Sequence, residues 1–382
     1  MILVSTIVEF SKKFFGEFYV ILLPFLVGFL HAGHAQIQWG ISIFYFAVMI
    51  AEFFAGPLSD RWGKRELLLG MLPIFVLGNL LFVCFPSLWM FWVAMALMGL
   101  GIGAGPSIAK AVQSEIAADG AQRVRFFIYT GYVVNWAPSL GLIIGGNIIH
   151  YVNWRFAFLL SAMLGVVIFL IVALFFPRTQ VPPSPRSFFS GYQHILKSPS
   201  VCWLILGFGA FSSCVLFYYL CSTFVYRFDL HISAHTIGWL SLVIGLSNMI
   251  GKTVALSFIK TVSERHMMAF GLTLSAVATV LVFVLSRVFG LHLLTILLPM
   301  VLFMVGFGMT MPLLRNQIYS IAPPGISTGS IASLSNLSIN FFSSVGTFLI
   351  ALFHFKSVSA MAMVLAAAVA LAAITAFRRL GF

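Results

Sequence analysis

The chain has 382 residues and a formal net charge of +12, yet only 8% of its residues are charged and 61% are hydrophobic, with a mean hydropathy of +1.07. An apolar fraction this far above that of a soluble domain demands lipid as solvent and leaves no room for a sizeable soluble domain. The apolar runs are long and rich in Leu, Phe, Ala and Gly, not ten-residue alternating strands, which excludes a β-barrel.

About 20 apolar residues cross roughly 30 Å of hydrocarbon. Runs of that length are centred near residues 22, 47, 76, 100, 136, 166, 212, 247, 278, 302, 341 and 368, so the expected fold is an all-α membrane protein of twelve transmembrane helices. Glu9, Lys12 and Lys13 precede the first run, which reads as an uncleaved first helix. Between the second and third runs lies GPLSDRWGKRELLLG, Gly56 to Gly70, a local concentration of Asp60, Arg61, Lys64, Arg65 and Glu66. It reads as a tight charged turn, with Gly56 and Gly63 permitting close helix approach and a sharp reversal. The fourth run contains GLGIGAG (Gly99 to Gly105), a glycine repeat inside a span and without the βαβ context of a nucleotide site. The fifth, GYVVNWAPSLGLIIGG, carries Gly131, Pro138, Gly141, Gly145 and Gly146; small residues at this density permit close packing, and Pro138 introduces a bend. Residues 177–200 are the one polar, Pro/Ser-rich break, with a short interfacial helix expected over Ser187 to Leu196. They separate six spans (1–176) from six more (201–382), as an internal duplication would. The halves overlay at an offset of about 200 residues, which sets Trp39 on Trp239 and Glu52 on Lys252.

With the amino terminus in the cytoplasm, only Arg155, Arg227, Arg287 and Lys356 fall outside, and Lys252 lies within a span; the remaining Lys and Arg are cytoplasmic. This is the positive-inside pattern, and it sets both termini in the cytoplasm. The basicity is therefore topological, and no nucleic-acid partner is implied. Cys84, Cys202, Cys214 and Cys221 lie in or at apolar spans and read as small buried hydrophobes, not a disulfide framework.

The Gly56–Gly70 pattern resembles the loop between helices 2 and 3 of the major facilitator superfamily, which implies two six-helix bundles. Gln36 to Gln38, the charged turn, GLGIGAGPSIAKAVQSEIA (Gly99 to Ala117) and Trp154-Arg155 together resemble the bicyclomycin-resistance (Bcr/CflA) type of drug:proton antiporter. The fifth-span run resembles the glycine-proline motif of antiporters in this superfamily. The resemblance implies a proton acceptor and cation contact at Glu17, in the segment Glu17-Phe18-Tyr19-Val20-Ile21 that stands where the family has an acid followed by Tyr. It also implies an inward-side gate built on Asp60, Arg61 and Arg65. One departure is Met95, where many members carry arginine associated with proton coupling.

Physical chemistry points to the same residues. Of nine acids, Glu17 and Glu52 fall in spans, where a carboxylate must be paired, protonated or facing water. Either Lys12 and Lys13 snorkel to the cytoplasmic surface or Glu17 itself lies near that surface and is solvated. Glu52 either joins a charge cluster with Arg61 or Arg65 or is a second protonation site. Lys252 pairs with a carboxylate, binds an anionic substrate group across the cavity, or snorkels near the inner end of the eighth helix; a functional role there argues against a purely cationic substrate. Asn135, Asn248, Asn336 and Asn340 line a cavity or hold helices together, and Asn336 and Asn340 share a helix face. His31, His34, His231 and His235 sit in equivalent outer loops, a weak signal for metal or pH sensing. No metal site, catalytic constellation, phosphate-binding loop or cofactor is expected. The expected function is proton-coupled export of a drug-like or amphipathic metabolite, siderophore-like products included, by a monomeric multi-pass protein of a bacterial inner membrane whose partners are a small-molecule substrate, protons and the lipid bilayer. The alternatives are an importer or uniporter of a small nutrient and, in another class, a non-transporting membrane sensor.

Overall fold

The computed structural model describes residues 1–116, 130–177, 195, 197–258, 261–321, 328–352 and 358–377. The described residues are helical apart from short connections. The chain divides into two compact units, Met1–Ser190 and Gly191–Phe382. Most of the linker, residues 178–194 with its expected interfacial helix, lies outside the described residues, as do Lys260 and the side chain of Asp60.

The first unit comprises α1 (Ile2–Leu30), α2 (His34–Trp62), α3 (Lys64–Cys84), α4 (Leu88–Gly103), α5 (Gly105–Ile116), α6 (Ala137–Tyr151) and α7 (Trp154–Phe175). The break at Ala104 divides one span, Leu88–Gln113, into α4 and α5. The fifth span, Thr130–Tyr151, breaks at Trp136, and Pro138 sits in the first turn of α6, where its missing N–H leaves no bond unmade. The second unit comprises α8 (Pro199–Phe228), α9 (Ala234–Phe258), α10 (Glu264–Val288), α11 (Leu293–Ile321), α12 (Thr328–Leu352) and α13 (Val358–Phe377). Among the described residues eleven helices are long and apolar enough to cross a membrane, and Met361–Ala376 in α13 is a shorter apolar stretch.

Both units are packed by glycine in the same way. α4 lies between α2 and α3, and α11 lies between α9 and α10. A Cβ added at Gly101 would collide with the backbone of Phe75 on α3, and one at Gly103 with Val48 and Ala51 on α2. In the second unit Gly306 meets Gly271 and Ser275 on α10, and Gly308 meets Asn248 and Lys252 on α9. The contact residues 48 and 248, and 75 and 275, stand one repeat apart. The glycine repeat of the fourth span is thus a two-sided packing device, and Val305 to Met309 (VGFGM) is its second copy. Such close approach replaces the hydrophobic driving force that lipid does not provide between helices. Gly141 and Gly145 likewise close on Phe14, Phe18 and Ile21 of α1, whereas nothing lies near a Cβ at Gly131.

The charged motif is more helical than a turn of fifteen residues. α2 continues to Trp62 and α3 starts at Lys64, so the reversal is confined to Gly63, at φ 91° and ψ 148°. That conformation strains any residue with a Cβ. Arg61 in the last turn of α2 and Glu66 in the first turn of α3 each complement the local helix dipole. The first helix differs from expectation too. It begins at Ile2, so Glu9, Lys12 and Lys13 are helical and not a preceding flank. The cysteines are not uniformly buried: Cys214 and Cys221 are, Cys202 is partly so, and Cys84, the last residue of α3, is exposed.

Candidate functional site

α1 has 29 residues, about 43 Å of helix at 1.5 Å per residue. Glu17 lies near its middle, roughly 20 Å from either end. It is only 6% exposed, and its Oε2 is buried without a hydrogen-bond partner. This burial does not fit a carboxylate solvated at the membrane surface, and the expected snorkelling fits Lys13, which is exposed, but not Lys12, whose ammonium turns to the Tyr45 ring.

Lys12 joins the buried acids. Its Nζ lies 5.3 Å from the centre of the Tyr45 ring on α2, a cation–π distance. The ammonium interacts electrostatically with Glu52 first, then Glu17, then Glu9. Glu52 is 2% exposed, and Glu9 and Tyr45 are also buried, while Lys12 itself is half-buried and Lys13 exposed. The local sequence builds this arrangement. Glu9, Lys12 and Gly16 recur at helical spacing along one face of α1. Gly16 leaves room for Tyr45: a Cβ there would fall 2.6 Å from the phenol oxygen. Tyr45 in turn interacts electrostatically with Glu17. At the far edge Glu9 Oε1 lies 3.8 Å from Lys110 Nζ on α5, and one turn on, Gln113 Nε2 donates to Ser5 Oγ at 3.4 Å.

Glu17 and Glu52 are thus brought to one cluster, with Lys12, Tyr45 and Glu9 as members that sequence reasoning did not select. Tyr19 is not among them. Two residues beyond Glu17 and on another face of α1, it is 1% exposed and donates a 2.9 Å hydrogen bond to Asn79 Oδ1. Asn79 passes a bond on to the Phe75 carbonyl at 2.9 Å, and the Tyr19 ring packs against Phe158 at 5.5 Å. This polar knot ties α1 to α3 inside the unit. Asn79 carried a signal that went unread, as a lone amide inside the third apolar run.

Arg65, expected in the gate, bonds the Ala173 carbonyl at 2.6 Å and lies 3.9 Å from Glu66. It caps the last turn of α7, where carbonyls lack helical partners. Arg61 is exposed and Lys64 buried. Met95, where the resemblance implies arginine, is wholly buried.

The remaining candidates are distributed elsewhere. Asn135 is half-buried just before the Trp136 break. In the second unit Asn248 is half-buried, with Oδ1 lacking a hydrogen-bond partner, and Lys252 follows one turn later, also half-buried. Asn340 donates to the Asn336 carbonyl at 3.0 Å, a bond within its own helix. Tyr218 and Tyr226, two turns apart on α8, place their hydroxyls 3.3 Å from each other. His31 and His231 both adopt left-handed backbone, at φ 48° and 54°, and among the described residues no group of His, Cys, Asp or Glu is arranged to hold a metal ion.

Two helical units, each with a glycine-clamped middle helix, and a charge cluster buried among apolar spans define a multi-pass membrane protein. Residues 3–229 match the Major Facilitator Superfamily, and the chain belongs to that family. It is 22% identical over 353 residues to an uncharacterized transporter of Rickettsia bellii, covering 89% of this chain and 87% of that protein. It is 26% identical over 194 residues to multidrug resistance protein D of Escherichia coli, covering 48% of this chain and 49% of that one. The fold matches the xylose transporter XylE from E. coli in a partially occluded inward-open conformation, with a TM-score of 0.75 over 100% of this chain and 97% of that one at 12% identity.

Proposed function

We propose that the protein is a proton-coupled secondary transporter exporting a drug-like or amphipathic molecule by alternating access, in the manner of the Bcr/CflA type. The observation that carries this is Glu17, a mid-helix carboxylate, buried, with one oxygen unpartnered. A buried acid in such a place takes up and gives back a proton at small structural cost, and a proton and a cargo cation compete for it. The partial match to a multidrug resistance protein supports drug-like cargo. The charge distribution supports cytoplasmic termini, and bacterial relatives support a bacterial inner membrane. The motif Gly56 to Arg65 serves as the cytoplasmic gate in this reading, and a monomer suffices for it. Asn135 in the first unit and Asn248, Asn336 and Asn340 in the second are proposed cargo contacts, and Lys252 is proposed to bind an anionic group where a cargo carries one.

The test is flux in proteoliposomes under an imposed pH gradient, after a thermal-shift screen has supplied a cargo. Wild type is expected to move cargo against its gradient with counterflow of protons. Glu17→Gln is expected to lose gradient-driven flux while keeping cargo exchange. Undiminished gradient-driven flux in that variant rejects Glu17 as the proton site. A second reading, a uniporter, is favoured by Met95 in place of the coupling arginine; it predicts downhill flux in wild type that ignores the pH gradient.

A further inference from the structure

The cluster on α1 and α2 already holds a cation, and that cation is part of the chain. Lys12 places its ammonium over the Tyr45 ring at 5.3 Å, and the charges of Glu52, Glu17 and Glu9 act on it. An aromatic face with carboxylates around it is the chemistry that recognises an organic ammonium ion. Two further observations fit a seat whose occupant can exchange. Glu17 keeps one buried oxygen without a hydrogen-bond partner. Lys12 is half-buried among acids that are buried, on a flexible four-carbon stem that allows the head group to leave without moving the helix.

We propose that Lys12 is a tethered competitor: its ammonium occupies the seat that a quaternary or protonated amine of the cargo takes, and its return drives that amine out. This deepens the transport reading by naming the cargo group, an ammonium on an apolar body, and the residue that sets its release. The groups facing the seat are Glu9, Lys12 and Glu17 from α1, Tyr45 and Glu52 from α2, and Lys110 of α5 beside Glu9. Lys13 also interacts electrostatically with Glu17 but is exposed, which makes it the control for charge acting at a distance.

The experiment measures equilibrium binding of hexyltrimethylammonium to the purified full-length protein in detergent, with hexanol as the neutral match. Lys12→Met is expected to bind the cation about tenfold more tightly, because a competitor held at roughly millimolar effective concentration has been removed. Lys12→Arg, which keeps the charge, is expected to bind as weakly as wild type. Lys13→Met is expected to change affinity less than twofold, roughly the scale of a screened exposed charge. Adding Glu52→Gln or Tyr45→Leu to Lys12→Met is expected to remove the gain. Hexanol binding is expected to be the same in all.

An unchanged or weakened affinity in Lys12→Met overturns the proposal. So does an equal gain in Lys13→Met, which would mean that any lost positive charge suffices. A second measurement needs no variant. Saturating hexyltrimethylammonium is expected to speed reductive methylation of Lys12 in the wild-type protein, read by mass spectrometry, and to leave Lys13 unchanged. No change at Lys12 is equally fatal to the idea. Neither readout uses a proton gradient. Gradient-driven flux surviving in Glu17→Gln would therefore remove the proton assignment and leave the seat intact, and failure of the binding tests would do the reverse.

Discussion

The two units share a packing plan and differ in their chemistry. Gly101 and Gly103 clamp α4 against residues 75 and 48, and Gly306 and Gly308 clamp α11 against residues 275 and 248. The backbone turns left-handed at a histidine after the first helix of each unit, at His31, which caps α1, and at His231, three residues beyond the end of α8. The polar positions do not repeat. Glu17 overlays Phe217, whose ring lies against Gly346; Lys12 overlays Ser212, whose Oγ lies 3.6 Å from Met311 Sδ; Glu52 overlays Lys252. Where the helices touch through backbone, few residue types fit and the copies stay alike. Where side chains face one another, each unit holds its own set, and among the described residues the buried acids of the spans, Glu9, Glu17 and Glu52, lie in the first unit.

Making the first unit resemble the second at one charged position gives the largest expected effect. Glu52→Lys reproduces residue 252 of the repeat and sets a second ammonium against Lys12. Leaving like charges buried together is expected to destabilise the unit by about 3–5 kcal/mol, read as a fall in the thermal midpoint and in expression. The exchanged pair Lys12→Glu with Glu52→Lys is expected to recover most of that loss. A double-mutant cycle that closes additively would mean the two side chains do not interact.

The packing plan predicts equal responses in the two units. Gly103→Val and Gly308→Val each push a branched side chain into neighbouring backbone, at α2 and α9 respectively. Overpacking of this kind is expected to cost about 1–3 kcal/mol at either site, measured by thermal unfolding in detergent. Gly131→Val, with open space around it, is expected to change nothing. A large effect at Gly103 with none at Gly308 would break the duplication as a structural statement.

Much of this was legible in the sequence, because lipid constrains a chain harshly. Every span must be apolar and long, so the twelve runs could be read from composition, and the charged motif stood out as the exception between two of them. Gly63 was legible as a reversal but not as its whole extent, since the helical character of Ser59 to Trp62 depends on capping that a hydropathy pattern does not carry. Glu17 and Glu52 were legible as buried acids. Their meeting with Lys12 was not, because Lys12 and Lys13 looked alike on the page, and only helix phase turns one toward Tyr45 and leaves the other exposed. Tyr19 was grouped with Glu17 by nearness in sequence, although two residues along a helix turn a side chain most of the way to the opposite face. VGFGM in α11 is too short to be seen as a repeat of GLGIGAG without knowing which helices it touches.

The smallest expected effect concerns the histidines at the ends of α1 and α8. A metal or pH role predicts that imidazole chemistry matters there. The backbone offers a simpler account. His31 caps α1 in the left-handed region and the Ala32 amide donates back to the Val27 carbonyl; α8 is capped by Asp229, and His231 turns left-handed three residues past its end, where the Ile232 amide donates back to the Tyr226 carbonyl. Histidine tolerates that region better than most residues, and glycine occupies it without penalty. His31→Gly and His231→Gly are therefore expected to leave stability unchanged or raise it by up to about 1 kcal/mol. His31→Val and His231→Val are each expected to lower it by about 1–2 kcal/mol. Transport should follow protein level alone in all four variants. A glycine variant that folds normally and yet loses its pH response would show that the ring, and not the φ angle, is what the position requires.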